Sequence, residues 1–318
     1  MTTVSKIALV SGAALAAAGC ATLTPEAACD RACLVDVTDA YVASFVAQDP
    51  TQAPLADAIT IVENVTPIEP GDGLWDAVTE GPSTFQIYVP DPVAQTAGYL
   101  GVMSTAEGQV LVALRLQLDG RAIVEAEHLV TNALSENNLA TLETPRPGLI
   151  AVVPEDERMS RDALMSIGAS YYDALDDNDG SLSPFADDCE RHENGMITVR
   201  PGPPPADLDP DSFGYFGALG CGPQLSTNIM GYIDSLDNRR MFAADPVTGL
   251  SMGLSHFRHA MESDTIEIRN VPGVTEREVA FDAFDLPAAH VYKITDGEIH
   301  EIEAMGFAAP YNSPTGWE

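Results

Sequence analysis

Apolar positions recur at helical spacing in two places. Leu34 to Ala47 carries Val37, Tyr41, Phe45 and Val46 on one stripe, and Asp49-Pro50 ends it. Arg161 to Asp176 repeats the pattern with Leu164, Ile167, Tyr171 and Leu175. After each helix the pattern turns strand-like. In the first half it predicts strands at 58–64, 84–89, 96–103, 110–118 and 122–130, with Asp119-Gly120 as a hairpin turn. In the second half it predicts Leu250 to Met261, Ala289 to Thr295 and Glu298 to Ala304, with the turn at Asp296-Gly297. Two short stretches correspond closely: Ile123 to Glu127 with Ile299 to Glu303, and Glu63-Asn64 with Glu193-Asn194. One plan read twice predicts an α+β fold of two units, each a helix packed on a curved antiparallel sheet. The units span residues 29–130 and 161–318, joined by a Pro- and Asn-rich linker at 131–160. Arg200 to Phe213, with five prolines, reads as a surface excursion.

Composition narrows the function classes. Fifteen Lys and Arg against 48 Asp and Glu give a net charge of −33, and Lys6 and Lys293 are the only lysines. Such a chain repels phosphate backbones and anionic lipid, so nucleic acid is excluded as a partner, as is a membrane reached through a basic face. Residues 1–20 read as a secretory signal: Lys6, an apolar run from Ile7, then Ala17-Ala18-Gly19-Cys20. The last four resemble the lipobox of bacterial lipoproteins. That resemblance implies acylation of Cys20, a tether at 21–28 and, with Ala21 following, sorting to the outer membrane facing the periplasm. An ordinary cleaved signal is the alternative. Cys29, Cys33, Cys189 and Cys221 remain, an even number suited to an oxidising compartment, and the expected pairs are Cys29–Cys33 and Cys189–Cys221. No His cluster accompanies them, and no metal is expected.

The chain also resembles the NTF2-like (SnoaL-like) superfamily, as a tandem pair, and within it an uncharacterised group of secreted fungal and bacterial proteins. The resemblance rests on Cys29-Asp-Arg-Ala-Cys33-Leu34, Glu63-Asn64, Gly71-Asp-Gly-Leu-Trp75, Cys189-Glu-Arg191-His-Glu193-Asn194-Gly195, Arg239-Arg240, Phe257-Arg-His259, Ile302-Glu303-Ala304, Pro310-Tyr311 and Gly316-Trp317. It implies a cone with a pocket between sheet and helix, and acid–base chemistry without a cofactor.

Candidate residues follow from strand alternation together with that resemblance. Phe257, His259 and Met261 share one strand face, and His256 and Arg258 share the other. His259 is the expected general base, with Glu193 as its partner or acid and Arg240 orienting an anionic or carbonyl group. Tyr171, Tyr172, Asn194 and Arg191 are expected to bind substrate. The bland readings are a packing histidine, core tyrosines and a structural Glu-Asn network. Glu301 with Glu303, and Glu125 with Glu127, read as solvated strand faces. Asp176 to Gly180 fails the calcium-loop pattern at its first and last ligand positions. The first half has no His on its Val110 to Leu118 strand and reads as the structural half. The expected activity is that of a lyase, dehydratase or isomerase on a small, partly apolar molecule. The alternative is a ligand-binding or interaction lipoprotein, and a homodimer through the sheet face stays open.

Overall fold

The computed structural model describes Met1 and residues 28–318. The signal segment, Cys20 and nearly all of the tether lie outside the described residues.

Helix α1 (Arg31–Ala47) starts where the Asp30 carboxylate accepts from Cys33 N–H, within the loop closed by the Cys29–Cys33 disulfide. It buries Leu34, Val37, Tyr41, Val42 and Phe45. The elements that follow are β1 (Leu55–Glu63), β2 (Thr66–Ile68), α2 (Leu74–Ala77), β3 (Val78–Glu80), β4 (Gln86–Asp91), β5 (Thr96–Thr105), β6 (Gly108–Asp119) and β7 (Ala122–Thr131). Helices α3 (Glu136–Thr141) and α4 (Pro147–Ile150) occupy the connecting stretch. The second half contains α5 (Arg161–Asp176), β8 (Phe185–Glu193), β9 (Met196–Val199), α6 (Phe213–Gly217), α7 (Cys221–Leu225), β10 (Ser235–Asp245) and β11 (Leu250–His259). It continues through a short ribbon, β12 (Thr265–Glu267) with β13 (Glu276–Glu278), then β14 (Phe284–Thr295), β15 (Glu298–Gly306) and β16 (Ala309–Pro310).

The two main sheets share one topology. Their orders are β2-β1-β7-β6-β5, with β3 and β4 on β5, and β9-β8-β15-β14-β11-β10. Each sheet is antiparallel except for one pair, β1 beside β7 and β8 beside β15, which run parallel. These parallel pairs arise because the strand after each helix crosses to join the last strand. The shared order also makes β5 the counterpart of β11, where the sequence reading compared β11 with Val110 to Leu118. The hairpins at Asp119-Gly120 and Asp296-Gly297 form as expected, and both glycines take positive φ.

Each helix lies on the inner face of its own sheet, while the outer faces of the two sheets pack against each other. Ile87, Leu100, Val102, Leu111 and Ala113 meet Phe242, Leu250, Met252, Leu254 and Val291 in one buried core. The strands at 96–103 and 110–118 therefore read as continuous apolar runs, being covered on both faces. The sheets approach closely at Gly98, where a Cβ would lie 2.6 Å from Met252 Sδ. Ion pairs cross the interface reciprocally: Arg31 at the start of α1 binds Asp245, and Arg161 at the start of α5 binds Asp91. The sheet face left open for a homodimer is thus occupied within the chain. The second disulfide joins Cys189 of β8 to Cys221 of α7. Among the described residues no helix is long and apolar enough to cross a membrane.

Candidate active site

In the first half the space between helix and sheet is filled. The rings of Tyr41, Phe45, Trp75 and His128 pack with centroids 4.8 to 5.9 Å apart. Their polar atoms are satisfied. Tyr41 Oη lies 2.8 Å from His128 Nε2, and His128 Nδ1 lies 3.1 Å from Glu63 Oε2. A Glu63 carboxylate only accepts, so Nδ1 carries the proton and Nε2 accepts from the tyrosine. Glu63 also accepts from Leu74 N–H, and Trp75 Nε1–H donates to Ser44 Oγ.

The same positions in the second half carry smaller or differently placed groups. Strand register puts Ala304 where His128 stands, and helix spacing puts Leu175 where Phe45 stands. His290, paired across the ladder with Ala304, replaces Leu114, paired with His128. The missing rings leave a cavity of about 260 Å³. Its apolar wall includes Leu175, Met230, Phe257, Leu286 and Ala288, and its polar side chains are Asn138, Glu193, Asn194, Tyr232, His259 and His290. Exposed Ala133 and Met196 mark the mouth; buried His259, His290 and Ala304 mark the base.

Glu193 carries the contrast furthest. Its counterpart Glu63 is bonded to His128 and Leu74, yet among the described residues nothing donates a hydrogen bond to the Glu193 carboxylate. His259 lies between two rings, 4.0 Å from Phe284 and 5.7 Å from Tyr232, and its Nδ1 is enclosed without a partner. Burial holds its pKa below the ordinary imidazole value. His290 meets Tyr172 Oη through Nδ1 at 3.3 Å; burial, with Arg191 adding to it, pushes its pKa down to about 3. Burial and the charge of Glu193 push Tyr232 up to about 12, so its hydroxyl keeps its proton.

The sequence candidates therefore separate. His259, Glu193 and Asn194 line one cavity. The Asn194 amide, however, is bonded both ways to the Gly306 backbone, as Asn64 is to Val130, so its polar atoms serve the turn in both halves. Tyr171, Tyr172 and Arg191 stand behind the wall rather than in it. Arg191 is fully buried and donates to Thr198 Oγ1, Tyr171 Oη and Gln224 Oε1. The expectation for Arg240 does not hold: it pairs with Glu127 through two 2.8 Å bonds across the two halves. His256 meets Ser313 Oγ of the C-terminal segment. The solvated-face reading also fails, because Glu127 and Glu303 are buried and Glu301 is half-buried. Sequence reasoning missed His290 and Tyr232. Alternation of Leu286, Ala288 and His290 would have found the first, had the strand not been started at Ala289 beyond Pro287. Tyr232 sits in an irregular stretch without a period.

The fold and the site together define a class, a fused pair of helix-on-sheet cones, one filled and one hollow. Residues 157–306, just under half of the chain, match the family described as "Domain of unknown function (DUF8021)". No curated protein matches. Solved structures similar to this chain include an NTF2-like protein from Burkholderia thailandensis, at 14% identity over 47% of this chain and 92% of that one, with a TM-score of 0.25. BvnE pinacolase from Penicillium brevicompactum shares 7% identity over 31% and 84% of the two chains, with a TM-score of 0.26. AusH from Aspergillus nidulans shares 14% identity over 34% and 89%, with a TM-score of 0.27. At TM-scores below 0.5 these likenesses carry no argument about activity, which is argued from the site.

Proposed function

We propose that the second half is a cofactor-independent acid–base enzyme, a lyase, dehydratase or isomerase acting on a small, partly apolar molecule. The observation that carries this reading is the loss of ring and partner around Glu193, which leaves a carboxylate facing a cavity where the first half has a closed network. His259, kept neutral by burial, is the general base, and Glu193 is the second proton-transfer group. The Tyr232 hydroxyl supplies a donor for an oxygen that gains charge. Two disulfides suit an oxidising compartment, and acylation at Cys20 would hold the protein at the outer membrane, facing the periplasm.

The test is incubation of the mature protein with hydroxylated aromatic and alicyclic compounds, read by mass and by retention time. Conversion is expected, and His259→Ala and Glu193→Gln should each lower its rate by about 100-fold or more. Conversion unchanged in both variants would overturn the assignment. Compounds retained without conversion would support a binding lipoprotein instead.

A further inference from the structure

The walls of the cavity hold a charge balance. Glu193 is the one carboxylate among its described lining residues. Arg191 lies two residues earlier on β8, so both side chains leave the same strand face. Arg191 is enclosed, and its hydrogen bonds go only to neutral oxygens of Thr198, Tyr171 and Gln224. A buried guanidinium needs a counter-charge, and Glu193 is placed to supply it without a direct bond. The remaining polar groups are neutral. His259 is stacked between Phe284 and Tyr232, and His290 is bonded to Tyr172 and closed in by rings. Burial holds both imidazoles below their ordinary pKa. Asp234, beside the lining residue Ile233, is exposed and screened by solvent.

We propose that this cavity selects uncharged, single-ring molecules that carry a hydroxyl group, and rejects amines and carboxylates of the same shape. The size fits. A cavity of roughly 150 Å³ holds benzene, and about 260 Å³ leaves room for one substituted ring. The hydroxyl supplies the donor that Glu193 lacks. An ammonium or carboxylate would instead bring one uncompensated charge into a balanced, partly dry site. The amine is the sharper probe, because a surface of net charge −33 draws cations towards the mouth. The proposal rests on reading the cavity as the substrate site.

The experiment is calorimetric titration of the full chain at neutral pH with cyclohexanol, cyclohexylammonium and cyclohexanecarboxylate. Cyclohexanol should bind at least tenfold more tightly than either ion. Glu193→Gln leaves Arg191 uncompensated, and should move the carboxylate at least tenfold closer to the alcohol. Arg191→Met should do the same for the ammonium; if that variant does not fold, Glu193→Gln alone decides. Equal binding of ammonium and alcohol by the native chain, an unchanged order in Glu193→Gln, or no binding of any probe overturns the proposal. The two readings fail separately. Alcohol-selective binding with no turnover sinks the enzyme and leaves the charge rule standing, whereas turnover of a charged compound does the reverse.

Discussion

A single ladder step separates the two halves at the level of residues. In the first half a histidine on β7 faces leucine on β6; in the second, an alanine on β15 faces histidine on β14. The side chain that closed one network is gone, and another opens onto the space it left. Refilling that space gives a direct prediction. Leu175→Phe combined with Ala304→His should stabilise the protein by about 1–2 kcal/mol in chemical denaturation while abolishing ligand binding. A refilled protein that still binds would show that the cavity is not the site. The repeated Glu-Asn pair was legible in the sequence, and the structure divides it into an asparagine that fixes the turn in both halves and a glutamate that is freed in one. Arg240 was misplaced for a physical reason. It lies on β10, which the sequence pattern did not reveal, and register shifts between Asp237 and Arg240 and between Met241 and Ala243 break the alternation that would have assigned its face.

Among the elements, the stretch read as a linker does structural work on the second sheet. Asn138 and Thr141 of α3 bond to the backbone of Asn194 and Gly195, and Asn138 also lines the cavity mouth. Further on, Arg146 reaches Glu190, Glu301 and Glu303 on the outer face of β8 and β15. One guanidinium shared among three carboxylates leaves negative charge in excess. Burial, with Glu301 and Glu190 adding to it against Arg146, pushes Glu303 up to about 7. A carboxyl whose folded pKa exceeds its unfolded value binds more protons when folded, so its contribution to stability falls as pH rises from about 4.5 to about 7. Glu303→Gln should flatten this slope, and above pH 7.5 it should melt at a higher temperature than the native chain. An unaltered pH profile of melting temperature would contradict this. The pattern of helices and hairpins was readable because periodicity and Asp-Gly turns are local. The parallel pairing of β1 with β7 and of β8 with β15 joins strands far apart in sequence, where no local signal exists.

Over the whole molecule, reciprocity holds the halves together. Arg31 and Arg161 occupy the same place at the start of corresponding helices, and each reaches a buried aspartate that ends the corresponding strand of the other half. Asp91 also accepts from Ala244 N–H across the interface. Arg161→Ala leaves Asp91 buried without its ion pair, and should cost about 1–3 kcal/mol in urea denaturation, discounted for the partial exposure of the arginine. A loss within error would mean that the backbone donors alone satisfy Asp91. Such an arrangement has the logic of a two-fold dimer written into one chain.

Gly98 gives that fusion a further meaning. Its topological counterpart is Met252, and the two meet each other where the sheets touch. A self-pair of the first half would set glycine against glycine and leave a hole; a self-pair of the second would set methionine against methionine and collide. The knob fits only the other half's socket. Covalent linkage keeps the two always within reach, so the contact need not recognise itself, and each half is free to change sequence on its own. One cone could keep its aromatic filling as ballast while its twin gave up the same mass to become hollow.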